Sequence, residues 1–527
     1  MSNTAAGRNT EAGRSQLTIA MIVRNAADFL DETLESVRGI ADEIVIVDTG
    51  STDETTRIAY AHATKLIRRS WDDDFSTARN MALAAATGDW VLWLDAGETI
   101  TPKDAQGLRR FVDCEADRQT AYALLIQVPQ HGANIAGEQI ARIRLIPNLP
   151  GVTYVGRIRE SAEESLERLG VTLTGLPYRI HRGVREHDPQ RRLQRARRNV
   201  TLADLSIQEN GPSAGMLNCI GDALQVLGNT EQATAIFQQS LMIAPAGSTE
   251  MLEAYYGLLT TLDADPANRP AQLALCLKSL ETYPLDAQLL CAMGGYLQMQ
   301  GRMDLAIRAY ETAYRYGQVN PRTWHLDEIR EIAACCYAIA LQLQNQLADA
   351  VQILQAAIAE NADSVRLHKH LIDLYIKQGM KNEAIAQARN LPACMANAEA
   401  YRNAVRGACM AFDRNWPSAR AYLEMAYHDG CREPLCLRWL TVTLLAMGEH
   451  PSVRAIIEEW RTIEPTNQEM QSYLKLLTPD HAESTEPTGS ARQLRLDSGS
   501  TEIPSTSQIN APMPSAIKGP SQTRAAS

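Results

Sequence analysis

The stretch Glu43-Ile-Val-Ile-Val-Asp48-Thr-Gly-Ser51-Thr-Asp53-Glu54, followed roughly forty residues later by Gly88-Asp-Trp-Val-Leu-Trp-Leu-Asp95-Ala-Gly97-Glu98, decides the fold of this chain. Both halves have one form: a short, unbroken apolar run that ends on an aspartate. Such a run, bounded by turn residues, reads as a strand buried on both faces, as in a parallel sheet. In open α/β sheets ligands bind in the crevice just past the carboxyl ends of the strands. Two carboxylates at neighbouring strand ends are placed to grip a nucleotide and a phosphate-bound metal ion.

Outward from this core, residues 17 to about 186 alternate apolar strands with amphipathic helices, the signature of a parallel sheet. Leu17–Arg24 reads as a strand and Ala27–Arg38 as its helix. Ser51 and Glu54 have capping-box spacing, which predicts a helix start right after the second strand. Lys65–Arg68 and Trp90–Asp95 read as strands, with a helix over Phe75–Ala86 between them. Further strands are expected near Ala121–Val128, Gln139–Ile146 and Thr172–His181.

The sequence resembles a family 2 glycosyltransferase over Leu17 to Glu98. The resemblance rests on four ordered blocks: Thr18-Ile-Ala-Met-Ile-Val-Arg24-Asn25, Val47-Asp48-Thr-Gly-Ser51-Thr-Asp53, Asp73-Asp74-Phe75-Ser-Thr-Ala-Arg79-Asn80, and Gly88-Asp-Trp with Leu94-Asp95-Ala-Gly97-Glu98. It implies a GT-A-like α/β domain that moves a sugar from a nucleotide-sugar donor. By this resemblance Asp48 meets the nucleotide base, and Asn25, Asp74 and Arg79 belong to the donor site. Asp95 stands where the family has the first acid of its D-x-D motif, as donor ligand, catalytic group and metal ligand. Gly97 occupies the place of the second acid, so Glu98 is the candidate to complete a manganese or magnesium site. Tyr154-Val-Gly156-Arg-Ile-Arg159-Glu160 resembles the family's Gly-x-Ile/Val-His-Glu block, which nominates Glu160 as general base although Arg159 replaces the His. His181, in Tyr178-Arg-Ile-His181-Arg182-Gly183, matches a family His that touches the diphosphate or a metal, and Arg182 beside it is a donor-site candidate.

Eight arginines against two acids lie between Arg179 and Arg198. They could steer a doubly charged donor. The plainer reading, a linking helix with solvated arginines, is preferred for all but Arg182.

From about Ser213 the pattern changes to helix after helix. Gly294, Leu297, Gly301, Ala306, Tyr310 and Ala313 fall at the signature spacing of a tetratricopeptide repeat, and Gly221, Leu224, Gly228, Ala233 and Phe237 repeat it. About seven units are expected, each leaving an apolar face that only the next can cover. The division is a disordered lead over 1–16, the GT-A-like domain over 17–186, an Arg-rich linker helix over 187–212, repeats over 213–470, and over 471–527 a helix remnant and a tail. That tail is rich in Ser, Thr and Pro and is expected to be disordered.

The 527 residues are 45% apolar and carry a net charge of -11, which gives no reason to expect a nucleic-acid partner. The start is polar, no apolar run has membrane-spanning length, and the ten cysteines lack zinc spacing, so reduced thiols and a cytoplasmic location are expected. The resulting expectation is transfer of a hexose or N-acetylhexosamine from a UDP-sugar, with inversion, to a peptide, protein or glycan. The repeats would hold that acceptor or a partner enzyme. All catalytic motifs precede residue 187, which makes the two regions separable in this reading. The competing reading is a repeat scaffold whose glycosyltransferase-like domain has lost catalysis, with Gly97 and Arg159 as its signs.

Overall fold

The computed structural model describes residues 14–128, 137–183, 188–263, 266–464 and 467–476. Most of the expected lead and nearly all of the expected disordered tail lie outside the described residues. Nine strands form one mixed sheet, in the order β3-β2-β1-β4-β7-β6-β8-β5 with β9 on the free side of β7. They are β1 (Leu17–Val23), β2 (Glu43–Asp48), β3 (Lys65–Arg68), β4 (Trp90–Trp93), β5 (Glu98–Thr99), β6 (Thr120–Val128), β7 (Glu138–Pro147), β8 (Thr172–Arg182) and β9 (His325–Leu326). The first four are parallel, and β7 runs antiparallel to both β4 and β6.

The continuous apolar runs are explained by cover on both faces. Leu17, Ile19, Met21 and Val23 pack with α1 (Leu30–Val37), α2 (Thr55–His62) and α4 (Pro102–Cys114) on one side. Ala20, Val45, Val47 and Val91 pack with α3 (Phe75–Ala85) and α5 (Glu163–Arg168) on the other. Alternate strand residues face opposite ways, so both sets must be apolar.

Two local expectations are corrected. Ser51 and Glu54 form no capping box. The Ser51 Oγ accepts from the Asn25 amide and the Ser51 amide is taken by Asp48, while Asp53 Oδ1 accepts from Thr55 N. Helix α1 starts at Leu30 rather than Ala27, because Asn25 sits at φ +48° and side chains of Thr55 and Asp53 take the amides of Ala26 and Ala27.

Beyond β8 comes the long helix α6 (Pro189–Asn210), then seven helix pairs among the described residues. These are α7 (Ala214–Val226) with α8 (Thr230–Ile243), α9 (Thr249–Leu262) with α10 (Arg269–Thr282), and α11 (Ala287–Met299) with α12 (Met303–Tyr316). They continue as α13 (Ile329–Leu343) with α14 (Leu347–Glu360), α15 (Val365–Lys377) with α16 (Lys381–Arg389), α17 (Ala398–Phe412) with α18 (Trp416–His428), and α19 (Pro434–Ala446) with α20 (His450–Ile463); α21 (Gln468–Leu476) follows. The small residue of each signature faces the bulky one of the next helix. A Cβ on Gly221 would lie 2.6 Å from the Phe237 ring, one on Gly294 2.6 Å from Tyr310, and one on Gly407 2.5 Å from Leu423.

The two regions are joined along a wide seam. Leaving α12, the chain returns to the sheet, where β9 pairs with β7 and Pro321 O accepts from Ala141 N. Ile158 packs with Leu202 and Ala203 of α6 and Cys219 and Ile220 of α7. Arg159 reaches Glu253 at 2.8 Å and Asp222 at 3.4 Å. Among the described residues no helix is long and apolar enough to cross a membrane.

Candidate active site

The carboxyl ends of β1, β2 and β4 open into a cavity of about 1580 Å³, walled by the sheet loops, α6, the first repeat helix and Trp324. It exceeds the ~300–1,000 Å³ of ordinary small-molecule sites, enough for two ligands side by side.

Asp95 stands two residues past β4, in a turn made possible by Gly97 at φ +98°. Arg79 NH2 donates to its Oδ1 at 3.4 Å, Arg144 NH2 to its Oδ2 at 2.9 Å, and Arg182 NH2 lies 3.7 Å from Oδ2. Glu98 is only 1% exposed on the floor. Its Oε1 accepts from Arg144 at 2.7 Å and from Arg182 at 3.1 Å, and its Oε2 from the Asp95 amide at 2.9 Å. Burial alone would raise the Asp95 pKa, but Arg144, Arg79 and Arg182 outweigh it and hold the carboxyl well below the usual range.

Arg79 projects from α3 with its guanidinium 4.8 Å over the Trp93 ring, and its Nε donates to Glu160 at 2.6 Å. Arg182 lies 5.8 Å over the Trp324 ring. Asn25 lines the cavity while its Oδ1 accepts from Thr52 N at 2.8 Å, tying the β1 and β2 loops together. So Asn25, Arg79, Asp95, Glu98, Glu160 and Arg182 come together on one cavity wall.

Three expected residues stand elsewhere. Asp48 is fully buried and not on the wall. Its Oδ1 accepts from the amides of Gly50 and Ser51 and its Oδ2 from the Thr56 hydroxyl, and these bonds overcome burial to lower its pKa. Thr49, the next residue, faces the cavity instead. Asp74 caps α3, accepting from Thr77 N at 3.1 Å and the Ser76 hydroxyl at 2.7 Å. His181 pairs with Thr99 across the sheet, one residue before Arg182, and is not on the wall; neighbours on a strand face opposite ways. Among the described residues no three His, Cys, Asp or Glu side chains are grouped to hold a metal ion.

Sequence reasoning missed Arg144, Thr49, Trp324 and Glu138, took Asp222 only as an inner-helix residue of the repeat groove, and read the α6 arginines as solvated. Arg191, Arg192, Arg195 and Arg198 line the cavity. Their spacing, together with Leu202, was the available signal, because it marks one helix face. The Asp222 carboxylate opens into the cavity, 54% exposed, yet protein surrounds it. Poor solvation raises its pKa to about 7 against the pull of Arg159. Glu138 is likewise raised by burial to about 7.

The chain carries two recognised regions. Residues 18–119 match the model of glycosyl transferase family 2, and residues 341–406 match a tetratricopeptide repeat. A TPR repeat-containing protein of Synechococcus elongatus is 37% identical over 155 residues, 29% of this chain and 37% of that protein. An uncharacterized glycosyltransferase of Rickettsia bellii is 27% identical over 114 residues, 21% of this chain and 38% of that protein. The SPbeta prophage-derived glycosyltransferase SunS of Bacillus subtilis is 31% identical over 93 residues, 17% of this chain and 22% of that protein. The chain therefore spans well under half the length of these relatives.

Proposed function

We propose that the chain transfers a hexose or N-acetylhexosamine from a UDP-sugar to a hydroxyl or amide of a peptide, protein or glycan, with inversion. The observation that carries this reading is that Asp95 and Arg79, from the region matched to glycosyl transferase family 2, meet Glu160 and Arg182 from beyond it around a cavity large enough for two substrates. Thr49 and Asn25 at the ends of β2 and β1 are placed for the nucleoside, and the arginines for the diphosphate.

In the step itself the acceptor atom forms a bond to the anomeric carbon as the bond from that carbon to the β-phosphate oxygen breaks. The bonding pair leaves with the phosphate, and the acceptor's proton goes to a general base. Two wall carboxylates are available. Glu160 is bound to Arg79 at 2.6 Å, which commits that carboxylate to the guanidinium. Asp222 is raised to about 7 and opens into the cavity, which suits a base at neutral pH. This reading gives the proton to Asp222 and leaves Glu160 to orient Arg79.

Asp222 comes from the first repeat and Trp324 from the loop after α12, so the acceptor is met at the seam between the two regions. A panel of nucleotide-sugars screened by thermal shift tests the donor, since a ligand of the folded state raises the melting temperature by mass action. A UDP-sugar is expected to give the largest rise. No rise with any nucleotide-sugar would favour the scaffold reading.

A further inference from the structure

We propose that guanidinium groups hold the donor diphosphate where a divalent cation would otherwise serve: Arg79 and Arg182 from the cavity floor, with Arg195 and Arg198 from α6 opposite. This rests on the nucleotide-sugar reading above and specifies how that site manages charge.

The first support is that the acidic pair does not fit a divalent ion. Each Asp95 oxygen already faces a guanidinium, Arg79 at 3.4 Å on one side and Arg144 at 2.9 Å on the other. Glu98 spends one oxygen on Arg144 and Arg182 and the other on the Asp95 amide. A second acid at position 97 is opposed by the backbone: Gly97 has φ +98°, and a Cβ there would lie 3.4 Å from the Phe29 ring. An L side chain at that φ is strained.

The second support is the convergence of guanidinium groups: Arg79 and Arg182 pair with Asp95, Glu98 and Glu160, and α6 brings Arg195 and Arg198 to the same cavity, which Glu138, Asp188 and Asp222 also line. The cations crowd one another. Burial and the neighbouring Arg195 lower the Arg198 pKa, and an anion added beside that pair relieves the crowding.

The third support is the chemistry of the groups on the wall. A diphosphate brings both negative charge and acceptor oxygens, and the planar guanidinium fork matches it in two-point contacts. As the anomeric bond breaks, charge grows on the β-phosphate oxygen, and fixed cations in a poorly solvated site stabilise that growth.

The test is calorimetric titration of the full chain with UDP and with inorganic pyrophosphate, each in EDTA and in manganese. The expected result is a UDP Kd that agrees within about twofold between EDTA and manganese. Arg182→Met and Arg195→Met are each expected to weaken UDP by at least about tenfold. Arg195 lies on the helix face towards the cavity, so its substitution keeps the test meaningful if Arg182→Met fails to fold. UDP binding that appears only with manganese overturns this proposal and leaves the nucleotide-sugar reading standing. Pyrophosphate binding in EDTA without UDP binding keeps the anion site and overturns the nucleotide reading. No binding of either probe in any condition overturns both.

Discussion

At the scale of single residues, the assignment of Asp222 as base makes a prediction about pH. A base must be unprotonated to act, so turnover should rise with pH up to about 7, the value to which poor solvation within the cavity raises Asp222 against Arg159, with Glu253 nearby. Asp222→Asn should cut turnover by about 100-fold or more and flatten that rise. Glu160→Gln should lower turnover and keep the rise; the reverse pattern would move the base to Glu160. The residues legible in the sequence were those carried by recognisable local blocks: Asn25, Arg79, Asp95, Glu160 and Arg182 all reach the cavity. Asp48 and Asp74, also expected at the donor, stand off the cavity wall. A short acid before Gly-Ser or before a helix start first satisfies its own backbone, as Asp48 does with Gly50 and Ser51 and Asp74 with Thr77. Arg144 gave no local signal, since its meaning lies in β7 crossing beside β4.

At the scale of elements, Glu43 ties β2 to its neighbours. It accepts from the Thr18 hydroxyl at 2.6 Å and the Thr87 amide at 2.7 Å, and pairs with Lys65 at 2.7 Å. Burial would raise its pKa, but these partners outweigh burial and bring it to about 2. A depressed acid contributes stability above its unfolded pKa and loses it as pH falls towards the folded value. Parent stability should therefore drop by about 2 kcal/mol more than that of Glu43→Gln between pH 6 and pH 3. Urea midpoints at the two pH values measure this, and parallel curves would count against it. In the repeats, Gly294→Ala puts a methyl 2.6 Å from the Tyr310 ring, which is 1% exposed and cannot swing away. Overpacking of about 1–3 kcal/mol should outweigh the roughly 1 kcal/mol gained in helix propensity, so the melting temperature should fall. A rise would show that the helices can separate. The repeat periodicity was readable because each small residue has a bulky partner at fixed spacing. The use of α6 was not, because a stripe of arginines is compatible with solvent until a sheet edge and a cavity are placed beside it.

At the scale of the molecule, the separable arrangement suggested by the order of the motifs gives way to a joined one. Asp222, Val226 and Trp324 wall the cavity from the repeat side, β9 extends the sheet, and Leu202 and Ala203 of α6 pack against α7. A chain ending at Asn210 should expose that apolar seam and either aggregate or bind UDP at least about tenfold more weakly than the full chain. Unchanged UDP affinity in a soluble short chain would show that the α/β region is self-sufficient. The central claim is that this cavity turns over a nucleotide-sugar at Asp95. The measurement that tests it most directly is release of UDP from UDP-glucose, UDP-galactose, UDP-N-acetylglucosamine and UDP-N-acetylgalactosamine by the full chain and by Asp95→Asn. The account predicts steady release from at least one donor, reduced about 100-fold or more in the variant, with both proteins equally folded. Absence of release from every donor, or equal release by parent and variant, would contradict it.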